Sequence, residues 1–99
     1  MFVIREVMQC KPGKVKEMVG KFKGLAPVMQ KLGYTPFRLF TDVSGEPFWT
    51  VVAEIEVESL NDFFEMEGKV MADDDARKAM AGYHELVENG RREIYRVEN

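Results

Sequence analysis

Cysteine occurs once in these 99 residues, at Cys10, and histidine once, at His84. A single thiol cannot close an intramolecular disulfide, and it removes every multi-cysteine metal pattern. No apolar run approaches the ~20 residues needed to cross a bilayer. The first apolar segment carries Arg5 and Glu6 where a secretory leader would have an unbroken greasy centre. There is no glycine-rich phosphate loop, zinc spacing or Gly-x-Ser-x-Gly elbow. These absences predict a soluble protein in a reducing, cytoplasmic setting, with no metal, no cofactor motif and no membrane contact. Length is also scarce. One domain of this size hides only roughly 60 to 65% of the surface its unfolded chain exposes, so it is a candidate for stabilisation by a second subunit.

Charge is present in quantity but unevenly placed. The net charge is −3; residues 11–32 hold six lysines and one glutamate, whereas residues 54–75 hold nine acids and one lysine. Apolar residues recur regularly through both blocks, so each reads as the solvated side of an ordered element. The lysines lack interleaved aromatics for stacking on bases, and the overall sign is wrong for a phosphate backbone. Nucleic acid is therefore not an expected partner.

Residues 2–9 are β-branched and apolar and predict a strand. Pro12 and Gly13 stop it, with Pro12 suited to the first turn of a helix. Val15, Met18, Val19, Phe22, Leu25, Met29 and Leu32 then recur at spacings of three and four, the signature of one helical face. Pro27 predicts a kink near Gly24 to Ala26, and Gly33 a C-terminal cap. Strands are expected over Tyr34 to Asp42 and Phe48 to Val57, joined by the turn residues Ser44-Gly45-Glu46-Pro47. Ser59 and Asp62 resemble a capping box. They announce a second helix carrying Leu60, Phe63, Phe64, Val70 and Met71, interrupted near Asp73 and resumed through Ala76, Ala79, Met80, Tyr83, Leu86 and Val87. Asn89-Gly90 is expected to end it, and residues 91–97 to form the last strand.

The order βαββαβ on ~100 residues is the α+β, ferredoxin-like plan: a four-stranded antiparallel sheet with two helices on one face. Both strand faces carry apolar residues. In the third strand Trp49, Val51, Ala53, Ile55 and Val57 alternate with Phe48, Thr50 and Val52; in the first, Phe2, Ile4 and Met8 alternate with Val3 and Val7. Two helices cover one face only. The other face predicts a homodimer through the open sheet.

Lys11-Pro12-Gly13-Lys14 after the first strand, with the closing Gly90-Arg91-Arg92-Glu93-Ile94-Tyr95-Arg96-Val97, resembles NIPSNAP-like proteins of the dimeric α/β-barrel superfamily. That superfamily also includes antibiotic-biosynthesis monooxygenases and haem-degrading enzymes. The Arg-x-Tyr pattern associated with the first strand stands here as Arg5-Glu6-Val7, without the tyrosine. The resemblance implies a barrel dimer with a cavity between sheet and helices, and it names no substrate, since one scaffold hosts unrelated functions.

His84 is the one side chain that ordinarily titrates near neutrality. It reads as a structural histidine near a helix end, as a general acid or base, or, with Trp49 in the third strand, as a haem ligand after the haem-degrading relatives. Trp49 and Tyr83 either line a flat apolar ligand pocket or pack in core and interface. Arg38 and Glu6 are polar residues inside strands that either orient an acidic ligand or pair on an edge or across a dimer. Asp73-Asp74-Asp75 reads as a helix start and not as a calcium loop, whose spacing and glycine are missing. Cys10, beside Lys11, has no acid or histidine nearby in sequence to make it a catalytic pair.

Three functions remain open from the sequence. One is a dimeric barrel that binds a small aromatic or metabolite-like molecule between sheet and helices. Another is a cofactor-independent monooxygenase using His84 as base. The third is an interaction module without a ligand, marked by a filled layer between helices and sheet.

Overall fold

The computed structural model describes residues 1–99. Strand β1 (Phe2–Cys10) leads into helix α1 (Val15–Lys31); β2 (Arg38–Thr41) and β3 (Thr50–Val57) form the hairpin. Helices α2 (Leu60–Ala72) and α3 (Asp74–Ala79), a 3₁₀ turn (Tyr83–Leu86) and β4 (Val87–Arg96) complete the chain. The strands lie in the order β2-β3-β1-β4, all antiparallel. This is the expected ferredoxin-like α+β sheet, with the second helical segment divided into three pieces.

Alternation along the strands divides the sheet into two faces. Ile4, Val51, Ala53 and Ile55 are buried toward the helices, where they meet Leu25, Val28 and Met29 of α1, Phe63 and Met66 of α2, and Ala76 of α3. A second cluster joins Cys10, Met18, Val51 and Leu86. Each large side chain hidden in this layer contributes about 1.5–3 kcal/mol.

The boundaries differ from expectation where backbone chemistry overrides apolar spacing. Pro12 lies in the turn before α1 and not inside its first turn. α1 runs unbroken through Pro27. Pro27 and Lys23, whose carbonyl loses its usual donor, are both exposed, so water satisfies the gap. β2 starts at Arg38, after Pro36, which has no N–H for the ladder. β3 starts at Thr50, because Trp49 adopts the left-handed conformation (φ 69°) that no regular strand continues through. The largest correction concerns residues 80–90. Gly82 turns left-handed (φ 78°) and ends the helical run, and β4 begins at Val87, so Asn89-Gly90 lies inside the last strand. Gly90 suits that place: a Cβ there would stand 3.2 Å from the Val7 carbonyl oxygen.

The basic and acidic helical blocks meet at Lys31, whose Nζ lies 3.1 Å from Asp73 and 3.3 Å from Asp75. Asp73 also caps α3 by accepting from the Ala76 N–H at 3.0 Å. That backbone hydrogen bond first, and then the Lys31 ammonium, hold its carboxyl below the usual aspartate range. A lowered folded pKa adds stability above the ordinary carboxylate range and loses it as pH falls through the folded value. Asp73→Asn keeps a capping oxygen but not the charge. It should be less stable than the native chain at neutral pH, and the gap in urea midpoint should close in acid. A constant gap would show that the charge contributes nothing.

Candidate functional site

The helices leave one side of the sheet bare, and the strand registers show what stands on it. Arg38 is opposite Glu54, Glu54 opposite Arg5, and Arg5 opposite Glu93. Arg5 Nε donates to Glu54 Oε1 at 2.9 Å, and Arg38 Nη1 lies 3.8 Å from Glu54 Oε2. The hydrogen bond to Glu54 raises the Arg5 pKa further, so this guanidinium stays charged. Arg91 donates to both Glu93 and Glu46, and Tyr95 Oη donates to Glu93 at 3.2 Å. These bonds, with Arg91 first, keep the Glu93 carboxyl low. Aromatic rings stand under two of the cations: Tyr95 under Arg5 at 5.3 Å and Phe40 under Arg38 at 5.2 Å.

Two clefts open on this same face. One, of about 350 Å³, lies beside β2 among Val3, Thr35, Pro36, Arg38, Glu54 and Glu56. The other, of about 80 Å³, lies at the opposite end of the strands among Gln9, Glu46, Thr50, Asn89 and Arg91. It is roofed by the 42–49 loop. Thr50 ties that loop down by donating from N to Asp42 Oδ1 (2.8 Å) and from Oγ1 to the Pro47 carbonyl (2.7 Å). The Glu46–Arg91 pair at 2.7 Å latches it across to β4. Asn89 Nδ2 donates to Gln9 Oε1 at 3.3 Å, leaving the Gln9 NH₂ and Asn89 Oδ1 without a protein partner.

The residues singled out in the sequence do not converge. Trp49, Tyr83 and His84 sit at one end of the domain, where the Cys10 N–H bonds the Trp49 carbonyl and the Lys11 N–H bonds the Leu86 carbonyl, both at 2.8 Å. Tyr83 is half-buried against the cluster around Cys10 and Leu86. His84 is exposed, its ring 3.9 Å from that of Tyr83. Arg38 stands on the bare face. Glu6 stands on the helix face, accepting from Arg92 Nε at 2.6 Å, while Arg92 also reaches Glu67 and lies 5.0 Å over the Phe63 ring. These two clefts open on the bare face, while Ile4, Val51, Ile55 and Phe63 are buried between sheet and helices. Burial pushes the Cys10 thiol up, away from nucleophilic use. His84→Ala should leave stability within about 0.5 kcal/mol of the native chain, as at other exposed positions. A thermal scan showing a larger loss would mean that the imidazole has a structural partner.

Glu93, Tyr95, Gln9 and Asn89 were not singled out. Alternation within the expected strand 91–97 already puts Arg91, Glu93 and Tyr95 on one face, and the start of β4 at Val87 adds Asn89 to it. No helix is long and apolar enough to cross a membrane.

No family model and no curated protein matches the chain. Solved structures do. A NIPSNAP family protein from Agrobacterium tumefaciens superposes with a TM-score of 0.83 at 19% identity, over 99% of this chain and 93% of its own. A NIPSNAP domain protein from Burkholderia xenovorans gives 0.79 at 16%, over 99% and 95%. An antibiotic biosynthesis monooxygenase gives 0.70 at 11%, over the whole of both chains. The fold of this chain is thus the ferredoxin-like α+β fold of NIPSNAP and antibiotic-biosynthesis-monooxygenase-like proteins.

Proposed function

We propose that the chain works as a homodimer through its bare sheet face, and that the paired faces hold a small, polar, metabolite-like ligand in the cleft beside Gln9 and Asn89. One observation carries this reading: Val3, Phe40, Val52 and Tyr95 stand on that face with no element of the chain over them. The molecule is a broad, thin slab 35 × 34 × 17 Å. The 80 Å³ cleft has room for several water-sized groups, which suits a ligand of a few non-hydrogen atoms. Its free amide donor and carbonyl acceptor suit hydroxyl or carboxamide groups.

Light scattering across a dilution series tests the assembly. A single protomer at micromolar concentration, with native circular dichroism, would overturn it. Thermal shifts with a panel of small polar metabolites test the cleft. A shift seen with the native protein and lost in Gln9→Leu and Asn89→Leu is expected; no shift across the panel removes the ligand and leaves a pure assembly module. His84 lines neither cleft, so no observation favours a monooxygenase reading built on it.

A further inference from the structure

We infer that the cleft beside Gln9 and Asn89 takes a small monocarboxylate with a neighbouring hydroxyl, and that Glu46 is the stand-in for that carboxylate on Arg91. This rests on the ligand reading of the cleft proposed above and names the chemistry the cleft selects. The Arg91 guanidinium lines the cleft with Glu46, Pro47, Thr50 and Asn89. One edge of it is occupied by Glu93: Nε donates to Oε2 at 3.0 Å, and Nη2 lies 2.9 Å from the same oxygen. Glu46 Oε1 accepts from Nη2 alone, at 2.7 Å, and Nη1 donates to nothing in the chain. A carboxylate set along the Nη1–Nη2 edge would take both donors, the two-point geometry that makes recognition by guanidinium strong. Glu46 takes one.

Glu46 is suited to give way. Its side chain is 38% exposed and that of Arg91 52%, so theirs is an exposed ion pair of the kind that contributes little. The base of the loop is held independently, by the hydrogen bonds from Thr50 to Asp42 and to the Pro47 carbonyl. Gly45 turns the chain at φ 98° just before Glu46, at the exposed part of the loop. A displaced Glu46 therefore returns to water with the strands still joined. Glu93 stays in place, because Tyr95 Oη donates to it at 3.2 Å as well as Arg91.

Charge selects the class of ligand. One ligand carboxylate replaces one protein carboxylate on Arg91, so the balance around the guanidinium is unchanged. A dianionic phosphate would add a second charge beside Glu93. An ammonium would find Glu46 and Glu93 already engaged by Arg91. Beyond Arg91 the cleft offers the Gln9 NH₂ as donor and Asn89 Oδ1 as acceptor. A hydroxyl, which both accepts and donates, is the group that satisfies the two together. A volume of about 80 Å³ admits only a few non-hydrogen atoms, so the hydroxyl must lie close to the carboxylate, as in a short 2-hydroxy acid.

Titration of isotope-labelled protein with sodium glycolate and sodium L-lactate at fixed ionic strength, followed by amide NMR shifts, tests this. Glycolamide and lactamide, of the same size without the charge, are the controls. The native protein should bind each acid at least about tenfold more tightly than its amide, because a hydrogen bond to a charged acceptor outweighs a neutral one. Arg91→Gln should bring the acids down to the level of the amides. Glu46→Gln removes the competing charge and should tighten the acids about threefold to fivefold, the worth of an exposed ion pair, while moving the amides less than about twofold. A merely structural Glu46 would not separate the two kinds of probe. Glu46→Gln leaves Arg91 and the strand ladder intact, so it reads the inference even where Arg91→Gln fails to fold. Binding of neither acids nor amides, to the native protein or to Glu46→Gln, overturns the ligand reading of the cleft itself. Amides bound as tightly as acids, or acid affinities unmoved by Glu46→Gln, overturn only the carboxylate assignment.

Discussion

Val52→Asp is expected to convert the protein to an 11.4 kDa monomer at micromolar concentration while leaving its circular dichroism unchanged. Val52 lies between Phe40 and Val7 in the register of the bare face and is half-buried in the single chain. A carboxylate there meets water in the monomer, where such a change costs little. In a face-to-face dimer the same carboxylate is shut against the partner's sheet and away from water, while Arg5 and Arg38 nearby are already engaged by Glu54. An unpaired buried charge of that kind costs about 3–5 kcal/mol, which raises the dissociation constant roughly a thousandfold or more. Sedimentation and light scattering read the change directly. If native and Val52→Asp proteins have the same mass at every concentration, the bare face is not where copies meet.

The sheet was legible because its strands state their two-residue period plainly. Ile4 and Met8 point one way and Val3 and Val7 the other; Val51, Ala53 and Ile55 match them across the ladder. Ser59 announced α2 through the hydrogen bond it makes, its Oγ accepting from the Asp62 N–H at 3.1 Å. What escaped was set by single backbone conformations. Ala76, Ala79, Met80, Tyr83, Leu86 and Val87 keep helical spacing, but Gly82 at positive φ breaks the axis between them, and β4 then pairs Gly90 with Met8. Misplacing that boundary by four residues left Asn89 outside the strand, whereas Arg91, Glu93 and Tyr95 already alternated within 91–97 and lacked only the register that sets them against Arg5 and Glu54. The candidate site suffered more than the fold. Trp49 and Tyr83 attract attention as large aromatics, yet one closes a loop end and the other packs beside Cys10. The residues that face one another on the bare side come from all four strands and are as distant in sequence as Arg5 and Glu93. No local pattern unites them; only the register does.

Phe63→Ala should have the largest effect on stability of any single truncation in the helix layer. Phe63 is 1% exposed and packs in the cluster with Ile4, Leu25, Met29, Ile55 and Met66. Its ring meets the edge of Phe64 at 5.7 Å and lies beneath Arg92, which Glu6 and Glu67 hold in place from β1 and α2. Truncation removes the transfer energy of the ring and leaves a cavity between rigid walls, together about 3–5 kcal/mol. The Arg92 contact adds about 0.5–1 kcal/mol more. A domain of this length holds roughly 5–15 kcal/mol in total, so the melting temperature should fall by about 20 °C. Two controls isolate the cause. Phe64→Ala, on the exposed neighbour, should cost less than about 1 kcal/mol. Phe63→Leu should recover most of the loss by refilling the space. Because a dimer melts at a temperature that depends on concentration, all four proteins must be compared at one concentration. Crossing Phe63→Ala with Val52→Asp then separates the two layers. The first lowers protomer stability at every concentration, whereas the second removes the concentration dependence itself. If Phe63→Ala melts within a few degrees of the native protein, α2 is not seated on the sheet through this ring.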